Sequence, residues 1–264
     1  GECATGYNNI DLTACKKRGI VVTYVPSYSS DAVAQQVFAF LLEHFSKVHD
    51  YNAFVKDGGW VRSGNFSEFC FPTAELAHKT IGLVGYGRIG SKVALIAKAF
   101  GMKVLAYDKF RKNDDDTEYT TLEALFKNSD IISLHCPLTD DTHHLVNAER
   151  LALMKTTAIL INTGRGPLVD EHALAEALNQ GRLRAAGVDV LVEEPPQNDN
   201  PLVEATNCSI TPHIAWATAE ARERLLTIAV ENLKAFAEGK PQNVVNKRTS
   251  KPKNTRPKRC TKKK

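Results

Sequence analysis

The chain has 264 residues, 43% of them hydrophobic and 24% charged, which is ordinary for a globular protein of about two domains and excludes a low-complexity or fibrous chain. No run of 18 or more apolar residues is present, so a membrane-spanning helix is not expected. The net charge of +4 is uneven: residues 247–264 hold ten Lys/Arg and no acid, leaving 24 basic against 30 acidic groups, or −6, in residues 1–246.

Ile20–Val25 reads as a strand ended by Pro26. Ser30–Lys56 follows as one long helical pattern, with Ser30 or Asp31 as N-cap and Gly58-Gly59 as the stop. Trp60–Glu75 reads as an aromatic-rich loop. From Thr80, six short β-rich runs alternate with helical ones. The strands are Thr80–Gly85, Lys103–Tyr107, Asp130–His135, Ala158–Asn162, Ala185–Val190 and Ser209–Thr211. The helices are Ile89–Ala99, Leu122–Lys127, Ala148–Met154 and Glu171–Asn179. Thr120 with Glu123, Asn147 and Asp170 supply start signals, and Gly101 and Gly181 supply stops. Such alternation predicts an α/β doubly wound parallel sheet. Ala219–Glu238 is a last amphipathic helix, closed by Gly239 and Pro241, and the basic run after it reads as a disordered tail. Six scattered cysteines with no C-x-x-C pair suggest neither a metal site nor a disulfide framework, and fit a reducing cytoplasm.

The turn Gly85-Tyr86-Gly87-Arg88-Ile89-Gly90 joins the first strand of that block to a helix. Gly85 permits the tight turn, Gly87 lets backbone approach a pyrophosphate, and Gly90 lets helix pack on strand. The helix N-terminus, with Arg88 and Ile89, then offers N–H groups to phosphate. Asp108 ends the second strand, 18 residues past Gly90, where a carboxylate holds ribose hydroxyls and repels a 2′-phosphate. That favours NAD over NADP, although Lys109, Arg111 and Lys112 leave room for some NADP tolerance.

Three further segments fall at the C-terminal ends of later strands: Asn162–Asp170, Gly187–Pro195 and Thr211–Trp216. With the glycine turn and the opening Ala4–Asp11, they resemble the D-isomer-specific 2-hydroxyacid dehydrogenases from residue 1 to about Asn246. Within that family the branch most resembled is the glycerate dehydrogenases, or hydroxypyruvate reductases. The resemblance implies an NAD-dependent oxidoreductase passing hydride between NAD(H) and a small 2-hydroxy or 2-keto acid, hydroxypyruvate or glyoxylate being reduced to glycerate or glycolate. It implies that Arg165 clamps the substrate's carboxylate and keto oxygen. His213 is the acid/base and borders the cofactor, imidazole being suited by its free pKa of ~6.5. Glu194, rather than its neighbour Glu193, orients His213. Asp189 holds the nicotinamide carboxamide, Pro137, Thr142 and Thr163 border the cofactor, and Thr5 and Gly6 offer backbone N–H groups to the substrate carboxylate. No metal is implied. His135, His143 and His144 read as structural or solvent-facing, and Trp60 and Trp216 as packing residues.

The same resemblance divides the chain into residues 1–27 of a flavodoxin-like substrate domain, 28–213 for NAD with a dimerisation helix, 214–246 returning to the substrate domain, and the tail 247–264. The family's opening strands and helices of the substrate domain are missing, so that domain reads as truncated and turnover by this chain alone is expected to be impaired. A homodimer is expected through Ser30–Lys56. Alternatives for the body of the chain and for its tail accompany this reading. One is an NAD-sensing corepressor-like binding protein, or a fragment binding NAD without turnover; the other is a polyanion- or nucleic-acid-binding role for the tail.

Overall fold

The computed structural model describes residues 1–110 and 117–247. Arg111, Lys112 and the basic run 248–264 lie outside the described residues, as do the expectations placed on them. Among the described residues two compact units are present: Ser29–Ala221, and Gly1–Tyr28 with Arg222–Lys247.

The larger unit opens with helices α2 (Ser30–Ser46), α3 (Val48–Lys56) and α4 (Gly59–Ser63), counted after α1 (Leu12–Lys17) of the smaller unit. It continues with β1 (Thr80–Val84), α5 (Arg88–Ala99), β2 (Lys103–Tyr107), β3 (Glu118–Tyr119), α6 (Leu122–Asn128) and β4 (Ile131–Leu134). Then come α7 (Ala148–Leu153), β5 (Ile159–Asn162), α8 (Glu171–Asn179), β6 (Ala185–Val188) and β7 (Cys208–Ile210), before α9 (Ala219–Ala237). The seven strands form one parallel sheet in the order β3-β2-β1-β4-β5-β6-β7. The order reverses between β1 and β4, the switch point at which doubly wound sheets bind nucleotides.

Alternation along each strand feeds two cores. Ile81, Leu83, Ile131, Ile159 and Ile161 face Phe38, Leu41, Val93 and Ala97 of α2 and α5. Val84, Ile132, Leu134, Leu160 and Val188 face Leu125, Phe126, Leu151, Leu174 and Leu178 of α6, α7 and α8. With both faces covered, every residue of β4, β5 and β6 is buried, as parallel sheets require.

Four local expectations are corrected. The long helix breaks at Lys47, which adopts φ 55°, because the Phe45 carbonyl accepts from Ala74 N (3.0 Å) in place of an intrahelical donor. Its N-cap is Ser29, with Ser30 and Asp31 inside the first turn. The loop after Gly58 begins as the short helix α4. The cap of α6 is Thr121, whose hydroxyl accepts from Ala124 N (3.2 Å), and not Thr120. Two short elements, α1 and β3, were not anticipated.

In the smaller unit, Ile20–Val25 is extended but forms no ladder. Its contacts are one antiparallel bridge, Thr23 with Val244, and single bonds to residues on either side, Glu2 N to Thr23 O (2.8 Å) and Val25 N to Ala4 O (3.1 Å). The flanking segments are too short and irregular to sustain a strand. Side chains finish the job: Asn246 accepts from Val22 N (3.0 Å) and donates to Ile20 O (2.8 Å), and Asn232 donates to Tyr24 O (2.9 Å). Along α9, Leu226, Val230, Leu233 and Phe236 are exposed.

Candidate active site

The glycine turn leaves the C-terminal end of β1 at the switch point. Gly85 has φ 97°, and a Cβ there would stand 2.6 Å from the His135 carbonyl carbon. A Cβ on Gly90 would strike the Gly85 carbonyl oxygen, whereas a Cβ on Gly87 would meet nothing within 4 Å. Two glycines therefore let the turn exist, and the third leaves open space beside backbone N–H groups. Gly87 caps α5 without a side-chain acceptor, so the dipole-favoured amides of the first turn, from Arg88 on, are available to an anion. Ile89 turns inward against the α2–α5 core.

Asp108 follows β2 and is drawn onto this turn, accepting from Tyr86 N (2.6 Å) with one oxygen and Phe110 N (2.8 Å) with the other. Each oxygen keeps lone-pair capacity for a hydroxyl. Lys109, next to it, is paired with Asp141 (2.7 Å). That hydrogen bond holds the Lys109 ammonium above, and the Asp141 carboxyl below, their ordinary ranges.

After β4, Pro137 and Thr142 are joined directly: the Thr142 hydroxyl donates to Pro137 O (2.7 Å) and accepts from Thr139 N (2.8 Å). Thr163, beyond β5, is buried, and its hydroxyl has no hydrogen-bond partner. A buried hydroxyl without a partner costs stability unless something else meets it, so it suits a bound group. Glycine cradle, tethered carboxylate and orphan hydroxyl together fit a dinucleotide.

His135 lies beneath the glycine turn, its Nε2 2.9 Å from Ser133 Oγ. Burial depresses its pKa to about 4. The unfolded chain, with an ordinary histidine near ~6.5, therefore binds more protons than the folded one between these values. Stability contributed by the neutral ring is complete above pH ~6.5 and lost as pH falls towards 4, by on the order of 3 kcal/mol. A His135→Asn protein is expected to show a shallower fall of Tm between pH 7 and 4.5 by circular dichroism, and an equal slope would contradict this.

At the end of β5, Asn162 (1% exposed) folds its side chain into the next loop, accepting from Gly164 N (3.0 Å) and donating to Arg165 O (2.9 Å). This clamp fixes the backbone from which Arg165 projects; the guanidinium itself touches Gly164 O (2.8 Å). The role of Asn162 was not anticipated, since an Asn that ends a strand carries no distinctive signal.

Beyond β6 and β7 the arrangement is tightest. Asp189, 2% exposed, accepts from Thr211 Oγ1 (2.5 Å) and Ile214 N (2.9 Å) with one oxygen and Ala215 N (2.8 Å) with the other. Its carbonyl accepts from His213 N (2.8 Å). Asp189 thereby wraps the 211–215 loop about itself and holds His213 at φ 54°, a conformation that histidine tolerates better than most residues. The His213 ring presents Nδ1 to Glu194 Oε2 at 2.7 Å, so Nε2 is the ring nitrogen turned away from that carboxylate. Glu193 turns aside to Gln197 (2.6 Å). His143 and His144 stack on each other in an exposed turn. Thr5 and Gly6 belong to the smaller unit, where the Thr5 hydroxyl donates to Val25 O (2.9 Å). Among the described residues no cluster of three or more His, Cys, Asp or Glu could hold a metal ion.

A family model described as D-isomer specific 2-hydroxyacid dehydrogenase, NAD binding domain, matches residues 38–215. A hydroxypyruvate reductase from Blautia hydrogenotrophica is 46% identical over 250 residues, 94% of this chain and 78% of its own length. A glyoxylate reductase from Thermococcus litoralis is 45% identical over 252 residues, 93% of this chain and 76% of its own length. Among solved structures, D-lactate dehydrogenase from Aquifex aeolicus, complexed with NAD and lactic acid, aligns with a TM-score of 0.85 at 38% identity, over 94% of this chain and 79% of that one.

Proposed function

The chain belongs to the D-isomer-specific 2-hydroxyacid dehydrogenase family, and from that premise we propose that Arg165, Glu194 and His213 carry out the reduction of hydroxypyruvate or glyoxylate. The protein is an NAD-dependent oxidoreductase acting on small 2-hydroxy and 2-keto acids. The hydroxypyruvate or glyoxylate preference follows the named activities of its relatives. Those names are of enzymes, and the corepressor-like alternative is set aside.

The 2.7 Å contact between His213 Nδ1 and Glu194 Oε2 carries the mechanism. When bound, the reduced nicotinamide supplies the hydride. Arg165 holds the substrate carboxylate and keto oxygen in its planar fork, orienting one face of the carbonyl. As negative charge grows on that oxygen, His213 Nε2 donates a proton to it. Glu194 accepts the Nδ1–H throughout, which keeps the ring oriented for the transfer. In the oxidation direction Nε2 takes the proton back. Asp108 selects NAD by receiving ribose hydroxyls where a 2′-phosphate would meet a carboxylate. Steady-state NADH oxidation with hydroxypyruvate, glyoxylate, pyruvate and a branched-chain 2-keto acid is the test. The first two should give the highest kcat/KM; negligible turnover with every acid, alongside NADH binding by fluorescence, would refute the reading.

We assign Ser29–Ala221 to NAD binding. We propose a cytoplasmic location, where the thiols of Cys3, Cys15, Cys70, Cys136 and Cys208, all unpaired with one another, would remain reduced. No helix among the described residues is long and apolar enough to cross a membrane. A homodimer is proposed through α2–α4 and the loop that follows. Val48, Val55, Trp60, Val61, Phe66 and Phe69 are exposed there, the two phenylalanines at 96% and 89%, and apolar clusters of this kind mark interfaces. Val61→Asp with Phe66→Asp is expected to yield monomer by sedimentation velocity where the parent sediments as a dimer. A parent monomer would rule the dimer out.

A further inference from the structure

The His213–Glu194 contact depends on how Glu194 is held, and the stretch around it, residues 192–199, is exposed. Residues 189–201 leave β6 without regular structure. Within them, Leu191 N donates to Glu194 Oε1 (3.0 Å), a local bond that holds the carboxylate oxygen not facing His213. The next amide, Val192 N, is satisfied from elsewhere: it donates to Glu171 Oε1 at 2.7 Å. The other Glu171 oxygen accepts from Asn200 Nδ2 at 2.9 Å. One carboxylate thus grips the loop at both ends, on either side of Glu194.

Glu171 is well placed for this. It is the first residue of α8, whose N-terminus stabilises a carboxylate and is itself capped by Asp170, which accepts from Ala173 N (3.1 Å). The segment leading into α8 begins at Arg165, and Gly166 packs so closely on the Leu191–Val192 backbone that a Cβ would collide with it. The start of α8 therefore ties the Arg165 segment to the Glu194 loop.

On the acid/base reading of His213 and Glu194, on which this rests, we propose that Glu171 is a positioning residue that holds Glu194 in register with His213 by anchoring the 191–200 loop to α8. It touches neither substrate nor cofactor, and its effect runs through Glu194. Replacing it frees two donors and lets the loop move, so the Glu194 carboxylate spends less time at Nδ1.

The test is a double-mutant cycle on the 264-residue chain, with kcat and KM for hydroxypyruvate and NADH measured for E171A, E171Q, E194Q and E171A/E194Q. E171A should lower kcat about tenfold with the KM for NADH unchanged. E171Q, which keeps an oxygen for Val192 N, should recover most of that loss. E194Q should cost more, and adding E171A to it should cost nothing further, because the residue then has nothing left to position. Losses that multiply in the double variant, or E171A kinetics equal to the parent's beside an impaired E194Q, would overturn the proposal alone. An E194Q enzyme as active as the parent would overturn it together with the acid/base reading. Should E171A fail to bind NADH by fluorescence titration, Asn200→Ala takes its place in the cycle: a smaller loss, again absent in the E194Q background, supports the anchor, and a loss that persists there overturns it.

Discussion

His213→Asn is expected to lower kcat for keto-acid reduction by about 10²–10⁴-fold, the range supplied by a positioned general acid, with a far smaller change in NADH affinity. Asparagine is the informative replacement because position 213 sits at φ 54°, where most side chains cost roughly 1–3 kcal/mol but Asn is tolerated. The bonds from His213 N to Asp189 O and from the amides of 214 and 215 to the Asp189 carboxylate involve backbone alone on the loop side, so the loop should keep its shape. A loss of rate then reports the missing proton donor and not a collapsed turn. Stopped-flow reduction under single-turnover conditions, with NADH binding followed separately, checks it. A variant retaining a tenth or more of the parent rate would exclude His213 as the acid.

Arg165→Gln is expected to reduce kcat/KM for the 2-keto acid by a factor corresponding to about 2–5 kcal/mol, the cost of removing one partner of a desolvated, hydrogen-bonded charge pair. The loss should appear both as a higher KM, since the carboxylate is held in the ground state, and as a lower kcat, since the keto oxygen gains charge in the transition state. Arg165→Lys should fall between, as an ammonium keeps the charge but lacks the fork. The fold should survive either change, because the Asn162 clamp grips Gly164 N and Arg165 O and not the guanidinium. Unchanged kinetics in Arg165→Gln would place the substrate carboxylate elsewhere.

Both expectations could be framed from the sequence because the motifs that carry the family resemblance are local and sit at strand ends. Gly85 and Gly90 are legible because a positive φ or a crowded Cα leaves glycine as the fitting residue. The caps at Asn147 and Asp170 are legible because a side chain meets an amide three residues on. The strands β1, β2, β4, β5 and β6 are legible from apolar runs of the right length, and parallel order places every following loop at one edge of the sheet. Arg165, Asp189, Glu194 and His213 all lie on those loops.

Other features have no local signal. Nothing in the residues around Lys47 announces a break, since no Gly or Pro is there; it exists because Ala74, 29 positions after Phe45 in the chain, competes for the Phe45 carbonyl. Ile20–Val25 has a strand's composition but lacks neighbours regular enough to form a ladder. Thr120 and Thr121 are equivalent in type, and backbone direction at the end of β3 decides between them.

Fold class and nucleotide turn are legible in residue type and short spacing, while the side chains proposed to react are those that the family resemblance implies. Tertiary structure alone decided how those side chains are held: Asp189 shaping the His213 loop, Asn162 clamping the Arg165 backbone, and Glu171 reaching Val192 and Asn200. The physical reason is that a hydrogen bond between residues 21 or 29 apart in the chain leaves no periodicity to read. It is set when packing of helices on the sheet brings a carboxylate within reach of an amide that has no partner of its own.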